Sequence, residues 1–97
     1  MDRLAKTFKI LGNERRLRIV ELLLSSDRMT VGKISEQMNL SFKSVSKHLQ
    51  QLQSIGILGK EQVSNHVFYF LAKNSKTFIN NDVIKIVEKY LSKTKTR

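Results

Sequence analysis

Leu4, Phe8 and Leu11 recur at i, i+4 and i+7 with Arg3, Lys6 and Lys9 on the other faces, which predicts a short amphipathic helix ended by Gly12. Asn13 then caps a second helix running through Ser25. Its Leu17, Val20, Leu23 and Leu24 make a broad apolar face joined by Ile19 and Leu22, so it belongs at the buried centre. Thr30 caps a third, short helix with Val31, Ile34 and Met38 on one face, and Asn39 tolerates the left-handed backbone of a tight turn. Ser41 caps the next helix. Phe42, Val45, Leu49 and Leu52 give it a stripe at i, i+3, i+7 and i+10, and Gly56 stops it.

From Ile57 to Gln62 and from Val67 to Ala72 the apolar period shifts toward that of strands, and Phe68, Tyr69 and Phe70 are strong strand formers. The intervening Val63, Ser64, Asn65 and His66 read as the polar tip of a hairpin. After a loop over Asn74 to Asn80, Asn81 caps a last helix carrying Val83, Ile84, Ile86, Val87, Tyr90 and Leu91. That apolar face is wider than one packing partner needs. The closing residues, Ser92 to Arg97, read as a frayed basic tail. The predicted fold is mainly α with a small β-hairpin, in the order α-α-α-α-β-β-α, and residues 1–97 are expected to form one domain.

A helix-turn-helix needs a small residue where its two helices cross, a turn residue that accepts left-handed backbone, and an apolar anchor on the second helix. Ser35, Asn39 and Val45 stand at those places. With the stripe packed inward, Lys43, Ser44, Lys47 and Gln51 are expected to face outward, with Ser41 and Ser46 near the helix start. All of them can donate hydrogen bonds to phosphates or base edges. No acidic residue occurs from Gln37 to Lys60. A hairpin directly after such a helix makes a winged helix, with Lys60, Ser64, Asn65 and His66 on the wing. An ordinary helical hairpin with a solvated face, and strands that merely close the core, are the plain alternatives.

Charge adds weight to a polyanionic partner. The 97 residues carry 18 Lys+Arg against 8 Asp+Glu, a net charge of +10 with a sequence pI near 10.2. The absence of cysteine excludes disulfides, thiolate metal sites and thiol redox switching. The N-terminal stretch has no continuous apolar run, so neither a signal peptide nor a membrane span is expected there. No set of groups resembles a catalytic constellation, and neither enzymatic activity nor a cofactor is expected.

Two stretches resemble the ArsR family of prokaryotic repressors. Leu11-Gly12-Asn13-Glu14-Arg15-Arg16-Leu17-Arg18-Ile19-Val20 is similar to the start of that family's second helix. Ser41, Val45, Ser46, His48, Leu49, Leu52, Gly56 and Ile57 fall in register with its recognition helix, and Val67, Tyr69 and Leu71 with its second wing strand. The resemblance implies a cytoplasmic, dimeric DNA-binding regulator, most simply a repressor, acting on an inverted-repeat site in double-stranded DNA. It also implies a dimer interface on the first and last helices, here Leu4, Phe8, Val83, Val87, Tyr90 and Leu91. His48 has two readings: a partly buried, hydrogen-bonded structural residue ahead of a DNA contact. A winged-helix module that binds protein or RNA in a larger assembly is the alternative function.

Many relatives sense metals through cysteines on the third helix, or through Asp and His on the last. Here the first place reads Met29, Thr30, Val31, Gly32 and Lys33. At the second, Asp82 stands in a helix without histidine. No metal site is expected, and the sequence assigns no effector.

Overall fold

Three polar side chains start three of the helices in a computed structural model that describes residues 2–72 and 78–95. Asn13 Oδ1 accepts from the Arg16 amide at 3.1 Å, Thr30 Oγ1 from Lys33 at 3.2 Å, and Ser41 Oγ from Ser44 at 3.1 Å. Each cap satisfies an amide that a helix start leaves unpaired. The elements are α1 (Asp2–Leu11), α2 (Glu14–Leu24), β1 (Met29–Thr30), α3 (Val31–Met38), α4 (Phe42–Ser54), β2 (Leu58–Val63), β3 (His66–Leu71) and α5 (Phe78–Lys95). This is the winged helix-turn-helix order expected from the sequence, with one strand added. Residues 73–77, most of the expected loop, lie outside the described residues.

The added strand is β1. It pairs antiparallel with β3 through Met29 opposite Tyr69 and Thr30 opposite Phe68, giving a three-stranded sheet in the order β1-β3-β2. Two residues cannot show a period of alternation, so the pattern along the chain is silent there. The hairpin turns on Ser64 and Asn65 alone, because Val63 and His66 already pair with each other. Ser64 takes the left-handed backbone of the turn, with φ 57°.

Eight apolar side chains from four segments are the most completely buried among the described residues: Ile19, Val20 and Leu23 of α2, Ile34 of α3, Val45, Leu49 and Leu52 of α4, and Ile57 before the sheet. The turn between α3 and α4 is closed by Asn39 at φ 54°, ψ 46°, which lets the Leu40 amide donate back to the Ser35 carbonyl at 3.1 Å. At the far end of α4, Gly56 adopts φ 78° and the Ile57 amide donates to the Leu52 carbonyl at 3.2 Å.

Several apolar positions depart from the sequence expectation. Phe42 leaves the stripe at the first position of α4 and is 62% exposed. Leu17 is exposed on the first turn of α2. Phe8, expected at a dimer interface, is turned out from α1, whose buried face is Thr7, Ile10 and Leu11. The last helix begins at Phe78, ahead of the predicted cap at Asn81. Asn80 is buried inside its first turn, and its Nδ2 donates to the Ile55 carbonyl at 2.9 Å, tying α5 to the end of α4. Residues 92–95 continue α5 where a frayed tail is predicted, since extending a formed helix needs no new nucleus.

Arg16 ties α4 to the N-terminal helices. Its Nη1 donates to the Ile10 carbonyl at 3.0 Å and its Nε to His48 Nδ1 at 3.3 Å, which leaves the imidazole proton on Nε2. Burial, then the charges of Arg16, Arg15 and Lys47, lowers the His48 pKa from its ordinary 6.5. As the pH falls, the unfolded chain takes up this proton before the folded one does. The contribution of His48 is therefore complete above about pH 6.5 and is lost as the pH drops toward the lowered folded value. Between about pH 7 and pH 5, wild-type thermal melts should lose more Tm than those of His48→Gln. Parallel losses would remove His48 from the linkage.

Candidate nucleic-acid interface

Burial of Val45, Leu49 and Leu52 fixes the rotation of α4 and so decides which side chains reach solvent. Lys43, Lys47 and Gln50 are exposed and follow one another at i, i+4 and i+7 on the side opposite the stripe. Ser41 is exposed at the cap, and Ser46 is half-buried on the flank. Ser44 is also half-buried, on the flank that carries His48.

Gln51 does not face outward as the sequence pattern predicts. The residue is half-buried with its Oε1 buried, on the flank that it shares with the half-buried Ser44 and His48. Gln50 takes the outward place. Spacing alone does not distinguish the two: Gln50 and Gln51 follow Lys47 by three and four residues and lie about 60° and 40° from it on opposite sides of the helix.

The wing divides its residues between two faces by strand parity. Lys60 is the register partner of Tyr69, and Gln62 that of Val67. Tyr69 is buried, so Lys60 and Gln62 continue the core side of the sheet, where α4 packs against β2. Glu61 and Phe68 pair on the other face. There Arg28 Nη1 reaches Glu61 Oε1 at 2.7 Å, and the guanidinium lies 4.1 Å from the centre of the Phe68 ring. An exposed pair of this kind stabilises by at most about 1 kcal/mol, so its consequence is one of position. The wing's one carboxylate is neutralised and held off the face that carries Lys60.

His66 shares the Phe68 face, its ring 6.2 Å from that of Phe68, so the structure separates His66 from Lys60. Asn65 and Ser64 are exposed at the turn.

On the expected dimer surface, Phe8 is 61% and Tyr90 67% exposed, while Leu4 and Leu91 are half-buried. Val83 and Val87 lean inward on the core. Ile86 is 66% exposed, and it lines a groove of about 550 Å³ with Leu17, Val87, Tyr90 and Leu91 between α2 and α5. Phe8 is not part of that groove. Leu17 is a surface residue that the apolar pattern places in the core with the other leucines of α2, and Ile86 stands on the wide apolar face predicted for the last helix but outside the interface residues expected there.

Among the described residues, no three His, Cys, Asp or Glu side chains come together in a way that could hold a metal ion. No described helix is long and apolar enough to cross a membrane.

Residues 13–60, from the cap of α2 to the first wing strand, match the model of the bacterial regulatory protein, arsR family. The chain is 36% identical over 69 residues to the cadmium resistance transcriptional regulatory protein CadC of Listeria innocua. That alignment takes in 71% of this chain and 57% of CadC, so the chain spans little more than half the length of that relative. It is 33% identical over 64 residues to the transcriptional repressor SdpR of Bacillus subtilis, across 66% of this chain and 70% of SdpR. Among solved structures, the homodimeric winged helix-turn-helix DNA-binding domain of Mb0332 from Mycobacterium bovis superposes with a TM-score of 0.77 at 24% identity. The superposition covers 94% of this chain and 80% of that one, and it shows the fold. On the family match and the likeness to SdpR, the chain belongs to the arsR family of bacterial regulatory proteins.

Proposed function

We propose that the chain is a cytoplasmic, sequence-specific regulator of transcription that binds double-stranded DNA as a homodimer and represses by occupying its site. Residues 1–97 would act as one DNA-binding domain with dimerisation helices at its two ends. The observation that carries this reading is the outward face of α4. A fully buried stripe presents Lys43, Lys47 and Gln50 from a stretch without a carboxylate, on a chain of net charge +10. Lysine pairs with guanine O6 and N7, and glutamine with adenine N6 and N7, in the major groove. Lys60, with Gln62 beside it on the same face of the wing, meets phosphate. Asn65 and His66 extend the wing, and His66 contacts from its other face.

The family description and the names of CadC and SdpR, both regulators of transcription, favour the same reading. Regulation of this kind needs no catalysis and no resident cofactor. Neither place at which many relatives sense metals carries a ligand set here, so release from DNA would follow another signal or none.

Two-fold pairing is supported by apolar side chains that the single chain leaves uncovered on its helices: Phe8, Leu17, Ile86 and Tyr90. Ile86 and Tyr90 project from α5 while Ile84, Val83 and Val87 pack inward, so the wide stripe serves the core on one side and a second copy on the other. The homodimeric state of the Mb0332 domain is consistent with this.

Reading and anchoring are separable in one titration series. Replacing Lys47 and Gln50 with Ala should weaken binding to the chosen site by about 1 to 3 kcal/mol for each base no longer read, and affect random duplex less. Lys60→Ala should weaken both by similar factors and flatten the dependence of log affinity on log salt by about one unit. An unchanged ratio of chosen to random binding in the first variant would overturn α4 as the reading helix and favour a protein-interaction module.

Tyr90→Asp places a charge on the apolar face of α5 and should convert a dimer into monomers by light scattering. A wild-type protein that is monomeric at micromolar concentration, yet tightly bound to DNA, would contradict the pairing.

A further inference from the structure

Phe42 is the one large apolar side chain of the helix-turn-helix that the fold leaves uncovered among the described residues. It occupies the first position of α4, directly after the Ser41 cap, and is 62% exposed, whereas Val45, Leu49 and Leu52 of the same helix are fully buried. The other exposed large apolar residues lie elsewhere: Phe8, Leu17, Ile86 and Tyr90 on α1, α2 and α5, and Val63 and Val67 on the wing. A phenyl ring left in water forgoes the favourable transfer of its apolar surface, so one standing at the head of a lysine-bearing helix calls for a covering partner.

The surroundings of Phe42 select that partner. Lys43 follows it, Lys47 lies on the same helix, and no carboxylate occurs between Gln37 and Lys60. A polyanion is the partner that this charge favours, and the N-terminal part of a recognition helix enters the major groove. The groove edge offers hydrogen-bonding groups almost everywhere. Its apolar feature is the C5-methyl group of thymine, against which a phenylalanine ring packs well.

We propose that Phe42 is a specificity-determining residue that covers a thymine methyl group, once in each half-site. The assignment rests on the DNA-binding reading given above and adds to it the base that one residue selects. Lys47 and Gln50 read hydrogen-bonding edges, and Phe42 reads a methyl group, a feature that those polar side chains cannot distinguish from its absence.

Replacing thymine with deoxyuridine removes only that methyl and leaves both base-pairing and groove hydrogen-bonding groups intact. In the preferred duplex, each thymine is replaced in turn and affinity is measured for the wild type, Phe42→Ala and Phe42→Leu. The wild type should lose about fourfold at one position and at its symmetry mate, the worth of one buried methyl, and little at the others. Phe42→Ala should bind the thymine duplex more weakly and be indifferent to deoxyuridine at that position. Phe42→Leu should retain part of the discrimination. Equal sensitivity of wild type and Phe42→Ala at every position would overturn the assignment of Phe42 while leaving DNA binding intact, as would a wild type indifferent to every replacement. A wild type that prefers no duplex sequence would overturn both readings together.

Discussion

Everything that α4 presents to solvent depends on how its buried stripe is gripped. Val45, Leu49 and Leu52 have no exposed surface, and they meet Ile19 and Leu23 of α2 and Ile34 of α3 in the same core. Burying each of these side chains stabilises by about 1.5 to 3 kcal/mol, whereas a helix cap contributes about 1. The stripe therefore sets the rotation of α4, and the caps set where it starts and stops. Once the rotation is fixed, Lys43, Lys47 and Gln50 have only the outer face available.

Polar contacts fix the remaining freedom of that helix. Arg16 holds His48 from one side while also engaging the carbonyl of Ile10 at the end of α1. Asn80 holds the carbonyl of Ile55 just beyond the last turn, from α5. A β-carbon at position 56 would approach Asn80 Nδ2 to 3.0 Å in addition to meeting a φ of 78°, so the glycine that ends α4 also makes room for this contact. Of the two helices proposed to pair across a dimer, α1 is thus linked to α4 through Arg16 of α2, and α5 to the end of α4 through Asn80. The separation of two such helices in a dimer would follow the packing of the helices that join it.

Much of this architecture was legible in the sequence wherever a local rule has one cheap solution. Asn13, Thr30 and Ser41 are the side chains that cap helices well, Asn39 is the non-glycine residue that best tolerates left-handed backbone, and the Val45, Leu49, Leu52 spacing admits one inward face. What the sequence concealed depended on tertiary context. Phe42 and Leu17 continue apolar stripes, but they sit on first turns that their neighbours cover only in part. Gln50 and Gln51 are chemically identical neighbours, separated only by the 100° that one helical step imposes. Asn80 and Asn81 both make acceptable caps, whereas Asn80 lies inside the first turn of α5 with its side chain bonded to a residue 25 positions earlier. Strand β1 forms because β3 is there to pair with it.

A net charge of +10 would attract any polyanion, and only geometry distinguishes a reader of duplex sequence from a general binder. On the proposed reading a single α4 would read one major-groove segment, and a two-fold dimer would read two. The most direct measurement is selection of duplexes bound by the wild-type protein from a random pool at physiological salt, followed by sequencing. The account predicts enrichment of an inverted repeat whose half-sites lie about one helical turn, ~34 Å, apart. A pool that remains random after repeated rounds, or that converges on a lone half-site without a symmetry mate, would contradict it.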